Sequence, residues 1–301
     1  LTPTSFGEFD EDSPTIWKPI DVSGLTFGNN GYYLDFEDSA NLGNDANGGT
    51  DFTENNLAAA DQATDTPTNN FATANPLLVN TSNAPTFSEG NCKIADSSAS
   101  RFGFASTIGV TTGKWYAEYK LSGISGDDEN FYGVGDEEAV QENARNNNST
   151  SSAGNIVYIK SGTGDSGSGA MKRVMSAGSG TDTDDFFNDD PAANDILQIA
   201  LNKTDGYVFF GINGTWLNSD DPTSSGSGSN GVALPNHAGK TFFFTAATHS
   251  GSSGNDIEIN FGNPPFSISS GNADGNGYGN MEYAIPSGYY TLCTKNLAEF
   301  G

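Results

Sequence analysis

The stretch DILQIALNKTDGYVFFGINGTWL, residues 195–217, decides the fold class. Every second residue from 197 to 201 is a large aliphatic one, which is typical of a strand with one buried face. The polar turn NKTDG follows, and residues 207–212 return as a second strand. Asn213-Gly214 then predicts a tight hairpin turn, because both central positions of such a turn favour residues that accept a positive φ. The stretch therefore predicts three successive antiparallel strands.

Strand alternation recurs on both sides of this stretch. In KWYAEYKL, residues 114–121, one face is aromatic and aliphatic, and the other carries Tyr116, Glu118 and Lys120. This pattern predicts a half-buried strand with Glu118 toward solvent, and we expect the same of Glu258. The other predicted strands are 31–36, 131–135, 215–217, 241–247 and 256–261.

Many short strands, Gly-rich turns and the lack of a long amphipathic helix predict an all-β chain folded as an antiparallel β-sandwich. We place this sandwich at residues 81–301. Residues 1–80 are turn-rich and too poor in apolar residues for a core of their own. We therefore expect an irregular strand-and-loop connector there, the end of an upstream module. Four segments of low complexity are predicted as long loops: 142–155, 161–169, 176–185 and 219–231.

The chain is strongly acidic, with 38 acidic and 12 basic residues and a formal net charge of −26. Nucleic acids and anionic lipid surfaces attract basic proteins, so we expect no nucleic-acid partner and no membrane partner. No apolar run is long enough to span a bilayer, and no signal peptide opens the chain. The chain starts at Leu1 without Met, and we expect a fragment or a processed piece of a longer polypeptide.

Cys92 and Cys293 are the only cysteines. They are too far apart in the chain for a zinc knuckle, and only His237 and His249 could complete a zinc site with them. A disulfide is one alternative, since the first and last strands of a sandwich often lie side by side. Two ordinary buried thiols are the other alternative, and the sequence favours the thiols.

The strands resemble those of the SPRY domain, the core of B30.2 modules. The likeness runs in order through GKWYAE at 113–118, YGVG at 132–135, the hairpin 195–217 with NGTW at 213–216, NFG at 260–262 and PF at 265–266. It implies a concanavalin-like jelly roll whose variable loops bind partners. SPRY domains bind very different partners, so the resemblance implies a binding module without naming its ligand.

A second resemblance covers nearly the whole chain. The segments LTPTSFGEF at 1–9, IWKP at 16–19, GYYLDF at 31–36, TPTNNFAT at 66–73 and GYYTLCTKNL at 288–297 are similar to segments of large marine bacteriophage proteins. This resemblance implies a virion structural protein of the tail-fibre, tail-spike or surface-fibre type, on the extracellular surface of the particle, with laminin-G-like neighbouring modules.

The partners follow from that resemblance. It implies other virion proteins and a host-surface glycan or protein. Fibre and spike proteins gain rigidity and avidity from symmetric association, so we also expect a homo-oligomer, a trimer first of all.

The sequence favours a protein without catalytic activity. Neither His237 nor His249 lies in a triad context, and the chain has no Gly-x-Ser-x-Gly motif. Glu118, Glu258 and the run 127–129 are the candidate carboxylates for sugar hydrolysis, but both glutamates are expected on solvent-facing strand surfaces. Two alternatives to a virion binding protein stay open: a polysaccharide-degrading depolymerase of the virion, and a cellular surface adhesin.

We expect no cofactor, with calcium as the one alternative left open. Segments 44–48, 182–190 and 272–277 are rich in oxygen ligands on flexible backbone, as calcium loops are. None has the spacing of an EF-hand loop with its distal Glu. Turns stabilised by Asn and Asp side chains explain the same composition, and the sequence favours them.

The candidate binding surface is formed by loops, because loops at the ends of a sandwich commonly supply recognition on a rigid scaffold. We expect segments 126–130, 143–155 and 219–230 to contribute. Tyr132 and Trp216 stand next to such loops, but Trp216 is expected to pack on a strand. The candidate ligand-binding residues are Asp127, Asp128, Asn130, Tyr132 and Asp220.

Overall fold

The computed structural model describes residues 1–9, 11, 14, 17–59, 62–63, 65–66, 68–79, 84–95, 102–123, 129–146, 154–161, 170–176, 179–183, 185–224, 231–249 and 256–301. The chain divides into two compact units, Leu1–Asn70 and Phe71–Gly301, and each is described by itself. Among the described residues, no helix has the length and apolar character needed to cross a bilayer.

The unit Leu1–Asn70 has little regular structure. Its strands β1 (Gly7–Phe9) and β2 (Trp17–Pro19) pair antiparallel, with Glu8 opposite Lys18. A 3₁₀ turn, Pro3–Ser5, precedes them. Most of the remaining described backbone of this unit runs in turns and irregular segments.

The predicted strand at residues 31–36 is wrong. The Tyr33 amide donates to the Asp45 carboxylate, and the Tyr33 carbonyl accepts from the Ala46 amide, both at 2.9 Å. Phe36 has a φ of 58°, outside the extended region. An apolar period of two predicts a strand only where a neighbouring strand completes the ladder, and here Tyr33 bonds to a loop instead.

The unit Phe71–Gly301 is built mainly from strands. In chain order these are β3 (Thr86–Ser88), β4 (Lys93–Ala95), β5 (Phe102–Ala105), β6 (Lys114–Leu121), β7 (Glu129–Asp136), β8 (Asn155–Ser161), β9 (Met171–Ser176), β10 (Ser179–Thr183), β11 (Ile196–Asn202), β12 (Tyr207–Ile212), β13 (Thr215–Trp216), β14 (Val232–Ala233), β15 (Phe242–His249), β16 (Ile257–Asn260) and β17 (Tyr290–Thr291). Its helices are α1 (Glu137–Asn146) and α2 (Thr294–Phe300), and 3₁₀ turns lie at Glu89–Asn91 and Leu217–Ser219.

Two sheets pack face to face. The first has six strands in the order β10-β9-β8-β7-β15-β5. The second follows the order β13-β12-β11-β6-β16-β4-β3, with β14 beside β12 and β17 beside β6. The described strand pairs are antiparallel except β17 with β6, which is parallel. The predicted antiparallel β-sandwich is confirmed.

The hairpin at the centre of the prediction is also confirmed. Strands β11 and β12 pair antiparallel with Leu201 opposite Val208, and the turn after β12 is Asn213-Gly214. These two turn residues have φ values of 48° and 85°, as a tight hairpin turn requires.

The main core lies between the two sheets. Trp115 and Tyr119 from β6 and Phe210 from β12 pack in one buried cluster with Tyr132 and Phe244 from the first sheet. Burial of one such side chain contributes roughly 1.5–3 kcal/mol. The large aromatic side chains of these strands therefore lie mainly in the interior between the sheets.

Helix α1 packs on the outer face of the first sheet, where Ala139 joins Phe131 and Ile156 in a separate buried cluster. The Asp136 carboxylate accepts from the Ala139 amide at 3.1 Å and satisfies a donor of the first turn. The predicted loop over 142–155 is wrong for residues 142–146, which belong to α1. The helix has too few apolar residues to give a recognisable helical periodicity in the sequence.

Residues 281–289 cover part of the outer face of the second sheet. Met281 and Tyr289 pack there on aromatic side chains of β6 and β12. Both faces of β6 are therefore buried, and the prediction that Glu118 faces solvent is wrong. Glu258 is also buried and pairs with Lys93 at 3.3 Å, so the same prediction fails there.

The predicted loop at 176–185 contains an edge strand. Strand β10 pairs with β9 from Ser179 opposite Ser176 to Thr183 opposite Lys172. Nearly every residue of β10 is exposed. An exposed edge strand needs no apolar face, so the composition of this segment does not distinguish it from a loop.

Candidate functional site

One end of the sandwich carries three links between the sheets. In the first sheet, Asn130 and Phe102 both lie opposite Thr248, so β5, β7 and β15 share this end. In the second sheet, Leu121 lies opposite Ile257 at the ends of β6 and β16. The chain passes between these strand ends at 96–101, 122–128 and 250–256. We name this end, marked by Leu121, Asn130, Thr248 and Ile257, the linked end.

The five predicted binding residues do not form one exposed site in the described part of the chain. Asp127 and Asp128 belong to the link 122–128 and lie outside the described residues. Asn130 and Tyr132 are 0% and 1% exposed within β7. Tyr132 meets Tyr119 edge to face in the main core, with ring centroids 6.5 Å apart. The expected exposure of Tyr132 is wrong, because β7 begins at Glu129 and turns this side chain inward.

Asp220 lies in the connection that leaves the second sheet after β13, whereas Tyr132 lies in the first sheet. It follows the 3₁₀ turn after β13 and is 9% exposed. Trp216 lies on β13, as predicted, and packs edge to face on Tyr116 with centroids 6.4 Å apart. A side chain as buried as Asp220 offers little surface to a ligand.

Two of the three expected loops leave the sandwich at opposite ends. Asn130 lies opposite Ser161, whereas Gly135 lies opposite Ile156, so Asn130 and Asn155 mark the two ends of the β7–β8 pair. The segment 126–130 is at the linked end, and the segment 143–155 rejoins β8 at the other end. The described residues that flank these two segments therefore lie at opposite ends of the β7–β8 pair.

Glu118 is the most unusual titratable group of the sandwich, since its carboxylate is 0% exposed. It accepts hydrogen bonds from the Tyr116 hydroxyl at 3.0 Å, the Glu282 amide at 2.9 Å and the Tyr283 amide at 2.8 Å. Burial raises the pKa of Glu118 above its ordinary value, although these donors act to lower it. The carboxylate holds the covering segment to the sheet.

The network around Glu118 extends to the hairpin turn. Gln198 donates from Nε2 to the Tyr116 hydroxyl at 3.1 Å and accepts at Oε1 from the Gly214 amide at 2.7 Å. Burial also raises the pKa of Tyr116 well above its ordinary value. These groups satisfy one another inside the protein, and such networks fix one arrangement of a core.

This geometry does not suit sugar hydrolysis by Glu118 and Glu258. The two lie on one face of neighbouring strands, since Glu258 is opposite Lys120 and Asn260 is opposite Glu118. A glycosidase carboxyl must reach the scissile bond, and Glu118 is closed off from solvent. Glu258 is engaged by Lys93.

The segments considered for calcium contain carboxylates that accept hydrogen bonds. Asp274 accepts from the amides of Asn276 and Tyr278 at one oxygen and from Thr291 and Asn296 at the other. Hydrogen atoms thus occupy the directions a cation would need. Asp45 accepts from the amides of Tyr33 and Asn47.

No group of three or more His, Cys, Asp or Glu side chains with metal-site geometry occurs in the described residues. Of the segment 182–190, residue 184 lies outside the described part. The turn at Asp274 is an Asx turn, the interpretation that the sequence favoured.

The remaining candidate groups are structural. Cys92 and Cys293 are buried free thiols, so the disulfide alternative is not formed. His237 packs on Gly206, where an added Cβ would lie 2.2 Å from its Nε2 atom. Lys203 is buried beneath the same loop and donates to the carbonyls of Thr111 and His237 at 3.1 and 2.9 Å.

Exposed apolar side chains are found elsewhere. The large hydrophobic side chains that the described residues expose all lie before residue 78, and they are Leu1, Phe6, Phe9, Trp17, Tyr32, Phe36, Phe52, Leu57 and Leu77. The sequence reasoning missed this surface. The signal was a set of aromatic residues in a segment judged too polar to form a core.

Fold and site together define an antiparallel β-sandwich in which the buried carboxylates of Glu118, Asp136 and Asp274 hold neighbouring segments in place. No family model matches the chain, and no curated protein matches it. Among solved structures, the chain is similar to the SPRY domain of human HERC1, with a TM-score of 0.41, 12% identity, and coverage of 62% of this chain and 96% of that one. It is also similar to the TRIM65 PSpry domain, with a TM-score of 0.39, 10% identity, and coverage of 63% and 89%. The fold assignment rests on the sheets themselves, since neither TM-score reaches 0.5.

Proposed function

We propose that this chain is a non-catalytic recognition module of a bacteriophage virion structural protein. The observation that carries the proposal is that the chain itself covers part of each outer face of the sandwich, with α1 on the first sheet and residues 281–289 on the second. These covered parts are closed to a partner, so we expect contact at the strand ends and sheet edges. A rigid scaffold with variable connections suits recognition.

The virion assignment is supported by the sequence resemblance of residues 1–9, 66–73 and 288–297 to phage proteins. On this proposal the chain belongs to a tail fibre, tail spike or surface fibre and lies on the outside of the particle. It associates as a homo-oligomer, a trimer first of all, and meets a host-surface glycan or protein or a neighbouring virion subunit. Mass spectrometry of purified particles should find the chain, and its absence there would leave a cellular adhesin as the better account.

The recognition role is tested at the linked end. Asp127→Ala with Asp128→Ala removes two carboxylates from the link 122–128, whereas Glu137→Ala with Glu138→Ala removes two exposed ones from the opposite end of β7. Asn130 is left intact because its burial would confuse folding with binding. We expect the first pair to reduce adsorption of the particle to its host about tenfold, the effect of about 1.4 kcal/mol, and the second to leave it unchanged.

Three outcomes decide the matter. Loss of adsorption only in the first pair supports recognition at the linked end. If particles that carry either pair of substitutions adsorb equally well and both folds are intact, the module has a purely architectural role. Release of sugars from host polysaccharide by the purified chain would instead establish a depolymerase.

A further inference from the structure

A cleft of about 580 Å³ opens in the unit Leu1–Asn70. Its most buried side chain is Leu42, which is 5% exposed, with Tyr33 half-buried beside it. Phe36 and Leu57 line it with about half of each side chain exposed to solvent. A concave surface lined mainly by apolar side chains is a common feature of binding sites.

The backbone keeps the cleft in shape. Phe36 has a φ of 58°, a conformation that bulky residues rarely adopt. Gln62 holds it there, since its Nε2 donates to the carbonyls of Phe36 and Glu37 at 2.7 and 2.8 Å. Tyr33 is held by ring stacking on Phe27, with centroids 5.8 Å apart. The cleft is therefore preformed, and a ligand need not order it.

The charge of the cleft selects the ligand. Asp35 and Asp65 are among its lining residues. The whole unit Leu1–Asn70 has 13 acidic side chains, and Lys18 is its only basic one. An anionic segment would be repelled from these carboxylates, whether it came from another protein or from an acidic surface of a second copy of the chain. A protonated amine on an aliphatic stem matches both the carboxylates and the apolar lining.

We propose that this cleft is the docking site for a lysine-bearing segment of a partner protein. The lysine stem lies along Leu42 and Leu57, and the aromatic face of Phe36 or Tyr33 and the carboxylates of Asp35 and Asp65 receive the ammonium group. The inference is independent of recognition at the linked end, which involves the other unit of the chain.

The test uses the full chain and three capped peptides, acetyl-Leu-Lys-Leu-amide and the same peptide with norleucine or glutamate in place of lysine. Norleucine keeps the aliphatic stem and removes the charge. Binding is measured by isothermal titration calorimetry and by changes in NMR chemical shifts. We expect the lysine peptide to bind roughly fivefold more tightly than the norleucine peptide, and the glutamate peptide not to bind. Added salt should weaken only the lysine peptide.

Matched variants show whether the peptides bind in the cleft. Asp35→Asn with Asp65→Asn keeps side-chain shape and should weaken the lysine peptide roughly fivefold while leaving the norleucine peptide unchanged. Glu11→Gln with Asp21→Asn removes the same charge from the same unit outside the cleft and should change neither. Leu57→Ala should weaken both peptides. The proposal is overturned if norleucine or glutamate binds as well as lysine, or if the cleft and control pairs have equal effects.

Discussion

Asn260 lies directly opposite Glu118 across strands β16 and β6, and its side-chain amide donates to the Glu118 carboxylate at 3.4 Å. The same amide donates to the Asn280 carbonyl at 2.8 Å. Its carbonyl oxygen accepts from the Gly262 amide at 2.8 Å. Asn260 thereby joins the buried carboxylate to the segment that covers it, and Glu118 can be tested as an anchor of that segment.

Glu118→Gln should destabilise the protein although it preserves shape. One acceptor oxygen becomes an NH₂ group, which must face the Glu282 or the Tyr283 amide and leave that donor without a partner. We expect the free energy of unfolding to fall by about 2–4 kcal/mol in urea titrations at neutral pH. Glu137→Gln, at an exposed position of α1, is the matched control, with an expected change below about 0.5 kcal/mol. Equal losses in both variants would show that Glu118 anchors nothing.

The Glu118 carboxyl should also shape the pH dependence of stability. Burial raises its pKa in the folded protein above the ordinary value of 4.5. The part of the stability that comes from this pKa shift is fully present below pH 4.5 and is lost as pH rises through the folded pKa, whereas the part from accepted hydrogen bonds stays. The stability difference between the wild type and Glu118→Gln should therefore shrink as the pH is raised from 4.5. Urea titrations along this pH series would contradict the assignment if the difference grew instead.

Lys240→Met tests the anchor of helix α1. Lys240 contacts the buried Asp136 carboxylate at 2.7 Å. Burial raises the pKa of Asp136, but hydrogen bonds from Lys240 and Asn155 outweigh it and leave the pKa below its ordinary value. We expect a loss of about 1–2 kcal/mol at neutral pH and faster hydrogen exchange at Ala139.

The lowered pKa of Asp136 sets how the stability loss in Lys240→Met depends on pH. Asp136 contributes stability above its ordinary pKa of 3.8 and loses it as pH falls through its folded pKa. The difference between wild type and Lys240→Met should therefore vanish in strong acid. Lys18→Met, which breaks the more exposed 3.6 Å pair with Glu8, should cost under about 0.5 kcal/mol at any pH. A similar cost for both lysines would contradict a special role for Lys240.

Gly214→Ala should be more harmful than Gly239→Ala. Both glycines have a positive φ, 85° and 70°, so an added methyl group strains the backbone equally. At Gly214 the new Cβ would also lie 2.8 Å from the Tyr283 ring, whereas at Gly239 nothing lies within 4 Å. We expect a further loss of about 1–3 kcal/mol at Gly214 in thermal or urea unfolding. Equal losses would mean that Tyr283 moves aside freely.

Residues 1–80 made alone should not unfold cooperatively. The large hydrophobic side chains that the described residues expose all lie in this segment, and its described regular structure is one short strand pair and a 3₁₀ turn. Such a segment buries too little apolar surface to offset the entropy of ordering its backbone. Calorimetry of the isolated segment tests this, and a sharp heat-absorption peak would contradict it.

The sequence correctly predicts those strands and turns whose conformation is determined by neighbouring residues in the chain. The alternation from 197 to 201 and the Asn213-Gly214 turn need no distant partner to be recognised. The strand at 31–36 failed for the opposite reason, since its alternation is as regular but the backbone of Tyr33 bonds to a loop. Strand pairing depends on the rest of the chain, and one segment does not contain that information.

The candidate site was harder to predict than the fold. The sequence predicts Glu118 in solvent because charged residues usually face water. Its burial depends on Glu282 and Tyr283, which come from a segment without periodicity. The sequence predicts Tyr132 beside a loop, but it does not show whether this position of β7 faces the core or the solvent. Exposure is a property of the packed molecule, and the aromatic residues before residue 78 show the same limit.

The parallel pairing of Tyr290 with Trp115 sets an order of events during synthesis. Strand β6 leaves the ribosome early, but its outer face and the Glu118 carboxylate have no cover until residues 281–291 follow. Contacts between such distant parts of a chain close slowly, because the intervening loop must first lose its freedom. Docking of this late segment should therefore be the last and slowest step of folding, and until then the nascent sandwich exposes a surface that invites aggregation or a chaperone.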